Sequence, residues 1–433
     1  MEVKIKTLTP IWTGDVDRKC SKIRETGIIG SLRWWYEALV RGFGGYACDP
    51  TSERRCELDQ RRLQNAIREG KSIQEALDEQ ICPACQLFGC TGWSRRFRVE
   101  MEDLPLVNLK FVTKIDHPSF KTDLRWWINK TLGKNPVGFY GETKLKVVSP
   151  YNKEIEDIIA FLLKTISLTG GLGAKTQNGF GIFTVKNLKK EQIRQGYELF
   201  QRSLSKSGFQ QELPNFNNFF KIDVKVDEVD TFREKLLNDA GKTSNYILSG
   251  FAIKFLLRAE FKNLKNLPVT NFIEIKNACN EVVRKLDGII KELDNKINKL
   301  NQIIKEETDN KKRKKLEEKK KRLQENRKEY ELLKRKYKPS KVVARYLFGS
   351  DLEEKWASRI NVSHAYSIGS DLHFRIWGEI PPVLSYDRNI TVKFDKKKVI
   401  GQIIKILESC FGFNTLEFGT VKFKDQLLKE VLG

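Results

Sequence analysis

The chain of 433 residues carries 79 Lys and Arg against 56 Asp and Glu, a formal charge of +23 with a pI near 9.5. That excess favours a polyanionic partner such as nucleic acid or an anionic surface. No apolar run approaches the roughly 18 residues of a membrane span, and Met1-Glu-Val-Lys-Ile-Lys-Thr has no apolar signal core, so a membrane protein is excluded and a cytoplasmic location is expected.

Glu2 to Leu8 alternates polar and apolar residues, the pattern of a half-buried strand. A polar, basic loop from Trp12 to Gly27 follows, with Lys22 and Arg24 as candidate phosphate contacts. Ile28 to Arg41 reads as a helix entered through Gly30 and Ser31 and ended by Gly42, with Ile28, Leu32, Trp35 and Leu39 on one face. Trp34 and Trp35 are therefore read as core rather than as base-stacking groups. Ser31 and Arg33 fall in the expected first turn, where a helix N-terminus favours phosphate, and Arg41 near the far end joins the basic set. A plain cap and solvent-facing charge is the alternative.

Residues 43 to 90 hold Cys48, Cys56, Cys82, Cys85 and Cys90 around a charged helix expected from about Glu57 to Leu77. Cys82-Pro-Ala-Cys85 is a C-x2-C knuckle. With Cys48 and Cys56 as distant partners it can close a tetrahedral thiolate zinc site, with Cys90 as a spare ligand; otherwise these are reduced, buried thiols, and no cofactor is required. Next, Arg95, Arg96 and Arg98 flank Phe97 at the entry to a strand, offering forked donors to phosphates beside an aromatic ring. A charge-protected edge strand is the competing reading.

Glu154 to Ile166 is a helix and Ile182 to Lys186 a strand, and between them Gly171, Gly173, Gly179 and Gly181 form a G-x-G-x5-G-x-G array enclosing Lys175, Thr176, Gln177 and Asn178. Glycine-dense backbone with a cation and three hydrogen-bonding side chains reads as a ligand loop able to cradle phosphate. It is not a Walker A loop. Ala174 and Thr169 stand where that motif needs glycine, and the order is helix, loop, strand rather than strand, loop, helix. A flexible αβ turn is the plain alternative.

Residues 191–214 read as a linker between a first domain, 1–190, and a second, 215–433. Beyond the linker the landmarks recur in order: an alternating strand, Phe219 to Val226; a helix, Ile247 to Arg258; Leu347-Phe-Gly-Ser350 with Trp356 to Arg359, matching Leu87-Phe-Gly-Cys90 with Trp93 to Arg95; and a late helix, Lys397 to Cys410, before a degenerate glycine loop, Phe411 to Val421. Four landmarks in register predict an α+β protein of two βαββαβ units. An insertion at about 280–340 carries Leu286, Ile290, Leu293, Ile297, Leu300 and Ile304 at coiled-coil spacing, then a turn and a returning helix with the basic runs 311–315 and 319–322. That helical hairpin suits RNA or a partner subunit, or is a solvated charged face.

The glycine array, the Leu-Phe-Gly segments and the Gly30-Ser31 motif together resemble the RAMP superfamily of CRISPR-associated proteins. Trp12-Thr-Gly-Asp15, Gly27 to Tyr36 and Ile81 to Trp93 sharpen the resemblance to the first RAMP subunit of the type III-B (Cmr) effector complex, over residues 1 to about 186 most clearly. The resemblance implies tandem ferredoxin-like (RRM-like) domains and a place at the head of a ribonucleoprotein, near the 3′ end of the guide. It implies guide RNA, target RNA, other RAMP subunits and small subunits as partners, and binding without cleavage. It assigns RNA-facing roles to the loop glycines and to Lys22, Arg24, Arg33, Arg95, Arg96 and Lys175; in an RNA-binding reading, exposed aromatics such as Trp12 or Phe97 are expected to stack on bases. Two rivals remain at this stage: a metal-independent endoribonuclease using His364 with Arg359, or Lys22 with Ser31, and a purely structural subunit.

Overall fold

A computed structural model describes residues 1–17, 19–117, 120–150, 152–204, 213–237, 247–351, 355–386 and 390–433, so 205–212 of the expected linker lie outside the described residues. In chain order the first half contributes β1 (Glu2–Thr7), α1 (Glu25–Gly42), β2 (Arg98–Met101), β3 (Glu142–Val148), α2 (Glu154–Thr169) and β4 (Phe183–Lys186). The sheet runs β2-β3-β1-β4 with every neighbouring pair antiparallel. Val3, Ile5 and Thr7 face inward along β1, as the alternation requires, and Val3 stands opposite Leu145. Ile28, Leu32, Trp35 and Leu39 of α1 are all buried, and so are Ile155, Ile159, Leu162, Leu163 and Ile166 of α2.

Three expectations fail here. Helix α1 starts at Glu25, whose charge suits a helix N-terminus, so Gly30 and Ser31 are helix interior rather than its entrance. Ser31 and Arg33 therefore have no N-terminal amides beside them. Trp34 is 38% exposed, its ring edge on Trp35 at 5.1 Å, so only Trp35 is core. The charged helix expected at 57–77 is two helices, Gln60–Arg68 and Ile73–Asp78: Asp59 caps the first, and Ser72 with Glu75 forms a capping box on the second.

The second half repeats the order with β5 (Phe219–Val226), α3 (Gly250–Asn263), β6 (Ile360–Val362), β7 (Asp371–Glu379), α6 (Lys396–Phe411) and β8 (Leu416–Phe418), interrupted by α4 (Phe272–Glu306) and α5 (Asn310–Lys334). Its sheet has six strands: the main path runs β6-β7-β5-β8, antiparallel and in the first sheet's order of second, third, first, fourth, with Tyr366–Ile368 added against β7 and Lys422–Phe423 against β5. The Leu-Phe-Gly segments also match locally: Gly89 ends the helix Pro83–Phe88 at φ 89°, ψ 157°, and Gly349 ends Pro339–Phe348 at φ 86°, ψ 166°.

The chain forms two compact units, residues 1–257 with 357–381 and 400–433, and residues 258–356 with 382–399. Both four-stranded orders belong to the first. Trp35 lies 5.3 Å from Phe219 and 5.5 Å from Trp377, joining the halves in one core, and Phe219, Phe220 and Ile222 are all buried because both faces of β5 are covered. In the second unit Leu286, Ile290, Leu293, Ile297, Leu300 and Ile304 form the buried seam of the α4–α5 hairpin, and Asp309 caps α5. No helix among the described residues is long and apolar enough to cross a membrane.

Candidate nucleic-acid interface and thiol cluster

Residues 170–182 link α2 to β4, and they form a clip rather than the open anion nest that their composition suggests. Leu172 N–H donates to Gly181 O at 2.9 Å, Gly181 N–H to Pro10 O at 2.9 Å and Ala174 N–H to Trp12 O at 2.8 Å. Gly181 has φ +83°, and a Cβ there would stand 2.2 Å from Leu172 O; Gly179 has φ +102°, and a Cβ would stand 2.7 Å from His364 N and Nδ1. Both are glycine because backbone passes through the volume of a side chain. Gly171 and Asn178 are buried, and Gln177 O accepts from the Lys254 ammonium. Lys175 is in the left-handed region at φ 58°; its ammonium donates to Thr131 O at 2.6 Å and lies 4.3 Å from the centre of the Trp12 ring. The half-exposed part is Gly173–Gln177, Thr176 included.

The clip brings the basic loop with it. Thr13 Oγ1 donates to Lys22 O at 3.1 Å and accepts from Arg24 N–H at 3.0 Å, so the backbone of Lys22 and Arg24 is held next to Trp12, whose carbonyl Ala174 grips. Lys22 is exposed; Arg24 is half-buried, and its Nε is buried without a hydrogen-bond partner among the described residues. Arg95 and Arg98 are exposed, and Arg96 lies 5.8 Å from the Trp93 ring centre. Trp12 and Phe97 are 7% and 2% exposed, so neither presents a face for base stacking.

Residues 4–184 match the RAMP superfamily. The RAMP match takes in α1, α2, the clip, the basic loop and all the cysteines between 43 and 90. Among solved structures, Cmr1 from Pyrococcus furiosus in its apo form is 13% identical at a TM-score of 0.38, over 96% of this chain and 97% of that one. A chain of a type III-B Cmr-beta complex bound to cognate target RNA and AMPPnP, with ssDNA present, is 12% identical at 0.38, over 95% and 99%. A comparison with curated proteins finds no match.

Two of the candidate RNA-facing arginines in the RAMP segment are committed to the interior. Arg33 donates through Nε to Glu37 Oε1 at 2.8 Å, through Nη1 to Gly89 O at 2.7 Å and through Nη2 to Cys85 Sγ at 3.3 Å. Arg41, 6% exposed, donates to Ala47 O at 3.1 Å, Cys48 O at 3.0 Å and Pro214 O at 3.1 Å. The buried Glu37 lies between them, an Arg-Glu-Arg ladder at i, i+4 spacing that was legible in the sequence and not read from it.

The sulfurs of Cys48, Cys56, Cys82 and Cys85 all lie within 4.8 Å of one another. Cys82 and Cys85 share one side of the first turn of Pro83–Phe88, being three residues apart. Cys56 arrives through the hydrogen bond from Leu58 N–H to Thr91 O, and Cys48 through the carbonyls that Arg41 holds. Cys48 Sγ is 3.5 Å from Cys85 Sγ and 3.9 Å from Cys82 Sγ, and Cys82 N–H points at Cys56 Sγ at 3.4 Å. Cys90 stands outside the group, with its sulfur against Thr91 O. The hydrogen bond with Cys48 lowers the Cys82 thiol to about 7, while the bonds from its neighbours, Cys48 first, drive Cys85 up: close-packed thiols resist ionising together.

His364 belongs to the core. It is fully buried among Phe111, Phe180 and Phe251, its Nδ1 accepts from Gly250 N–H at 3.2 Å, and desolvation lowers its pKa to about 3. Arg359 is ion-paired with Glu379. A general base must reach its proton, and this imidazole is closed off by aromatic rings. Lys22 and Ser31 have no shared bond either: the Lys22 carbonyl is held by Thr13, and Ser31 sits inside α1.

Proposed function

We propose that the protein is a non-catalytic RNA-binding RAMP subunit of a type III-B CRISPR effector ribonucleoprotein, contacting guide and target RNA near the 3′ end of the guide alongside other RAMP and small subunits. The observation that carries this reading is the junction at Trp12-Thr13, where the glycine clip and the basic loop, distant in sequence, meet within the RAMP segment. Support for tandem ferredoxin-like halves comes from the strand order, second-third-first-fourth along the main path of both sheets, with a helix following each first and third strand of that path.

In this reading Lys22 and Arg24 neutralise phosphates while the half-exposed backbone of Gly173–Gln177 lets the strand approach. Arg95, Arg96 and Arg98 form a second patch; Arg33 is nine positions along α1 from Arg24 at its N-cap, about 13.5 Å of rise, and Arg33 holds the turn that leads to that patch. With Trp12 and Phe97 buried, the contacts read phosphate and shape, and base pairing between guide and target supplies the sequence. The buried, neutral His364 supports binding without cleavage. Titrating labelled single-stranded RNA at several salt concentrations tests this: binding should weaken with a log–log slope of about −0.7 per phosphate contact. Lys22→Ala with Arg24→Ala should make the slope shallower by about 1.4. Salt-independent binding, or metal-free cleavage lost in His364→Ala, overturns the reading.

A further inference from the structure

We propose that Cys48, Cys56, Cys82 and Cys85 are the four ligands of a structural zinc ion that pins the 43–90 insertion to α1. Four thiolates around one zinc, each about 2.3 Å from the metal, form a tetrahedron with edges near 3.8 Å. The sulfur–sulfur separations of 3.5 and 3.9 Å, with all four sulfurs within 4.8 Å, bracket that edge. They are far beyond the S–S length of a disulfide, about 2.05 Å, and all eight cysteines are free. They are also too close for a multi-iron cluster, which puts several iron and sulfide atoms between its thiolates. A tetrahedral all-sulfur set of this size suits zinc.

The surroundings point the same way. Cys82 N–H aims at Cys56 Sγ at 3.4 Å, and Arg33 Nη2 aims at Cys85 Sγ at 3.3 Å. Against neutral thiols such donors gain little; against metal-bound thiolates both are hydrogen bonds to an anion. A zinc with four thiolates carries two negative charges, and two guanidiniums bridged by buried Glu37 stand against the cluster, Arg33 on Cys85 Sγ and Arg41 on Cys48 O. Cys48, Cys82 and Cys85 are at most 1% exposed and Cys56 is half-buried; with four protein thiolates no position is left for water or substrate, which makes the role structural. Each ligand binds as the thiolate, so every thiol still protonated gives its proton to solvent when the ion is taken up.

The loaded site does two things for the fold. It joins Cys48 and Cys56 to the knuckle across a stretch whose helices are short, Gln60–Arg68 and Ile73–Asp78. Through Arg33 Nη1 on Gly89 O it also fixes the turn that carries Arg95, Arg96 and Arg98. None of this requires the RNA-binding reading, and either can fail without the other.

The test is elemental analysis of the full chain, purified without a metal-affinity tag and dialysed. One zinc per chain is expected, retained in Cys90→Ser and lost in Cys82→Ser with Cys85→Ser. Because that double variant can lose its fold, two measurements on the unaltered protein stand beside it. Cobalt(II) in place of zinc should give the intense sulfur-to-metal absorption and tetrahedral bands of a four-thiolate site. A strong chelator should abolish hydrogen-exchange protection across residues 45–93 while β1, β3 and β4 stay protected. Absence of stoichiometric zinc, iron in its place, zinc lost in Cys90→Ser, or unchanged protection after chelation each overturns the assignment.

Discussion

The chain contains two connections from a second helix to a fourth strand, and they differ sharply. Residues 170–182 are long and held on two sides, by Pro10 and Trp12 on one and by His364 on the other. Residues 412–415 make a tight turn in which Thr415 N–H reaches Gly412 O at 3.3 Å and Thr415 O accepts from Asp227 N–H at 3.0 Å. The sheets around them have the same strand order, so the scaffold repeats while the connection does not. Glycine density in the first connection follows from how closely backbone passes backbone. The groups available to a ligand come from the neighbouring loop that the clip holds.

The sharpest break in that comparison is steric. Gly181→Val places a β-branched residue at φ +83° with its Cβ 2.2 Å from Leu172 O, and should cost about 3–4 kcal/mol in chemical denaturation. Gly419→Ala, whose Cβ meets Asp223 O at 3.0 Å without a positive φ, should cost under about 1 kcal/mol. Gly419 lies just past β8, so equal losses would mean that the clip is no tighter than the end of that strand.

The next effect is a pH dependence that the turn lacks. The folded-state pKa of His364 is lowered to about 3 by desolvation, whereas the unfolded chain has the ordinary value of about 6.5. Below pH 6.5 the unfolded state binds a proton that the folded state refuses. Stability contributed by this group is therefore complete above pH 6.5 and falls toward pH 3, by up to about 1.4 kcal/mol per pH unit. In His364→Asn, which keeps an acceptor for Gly250 N–H, that part of the acid slope should vanish; an unchanged slope between pH 6 and 4 would place the proton uptake elsewhere.

Much of this organisation was legible in the residues. Alternation gave β1 and β5, the spacing from Leu286 to Ile304 gave the hairpin seam, and the recurring Leu-Phe-Gly segments announced the repeat, with both glycines at nearly the same φ and ψ. The site was less legible, for physical reasons. Glycine composition is the same for a loop that opens to a phosphate and one that closes on its own chain. Arg33 and Arg41 look like surface charges until tertiary contacts place Glu37, Gly89 and Cys48 around them. Trp12 and Phe97 sit in basic segments, yet their side of the backbone faces the core. The start of α1 was misplaced because Gly30-Ser31 resembles a helix entry while Glu25 carries the N-terminal charge.

A smaller effect tests the turn itself. Gly412 has φ +90°, but the atom nearest an added Cβ is Lys235 Nζ at 2.9 Å, the far end of a flexible side chain. Gly412→Ala should therefore cost only the backbone strain, about 1 kcal/mol. A cost near that of Gly181→Val would show the turn to be as tightly packed as the clip.

The smallest effect bears on function. Each connection has a lysine bonded to a carbonyl: Lys175 to Thr131 O beside residues 176–178, and Lys235 to Phe411 O beside Gly412. Only Lys175 also lies over Trp12, the residue whose carbonyl Ala174 holds and whose neighbour Thr13 orients Lys22 and Arg24. Lys175→Ala removes a cation from the ring face, worth about 0.5–1 kcal/mol, and loosens the junction rather than deleting a phosphate contact. RNA affinity should fall roughly threefold with little change in salt slope, because the number of neutralised phosphates stays the same. Lys235→Ala should leave RNA affinity unchanged. A fall in slope of about 0.7 with Lys175→Ala would instead make Lys175 a direct phosphate contact, and equal affinity losses from the two lysines would remove the functional distinction between the connections.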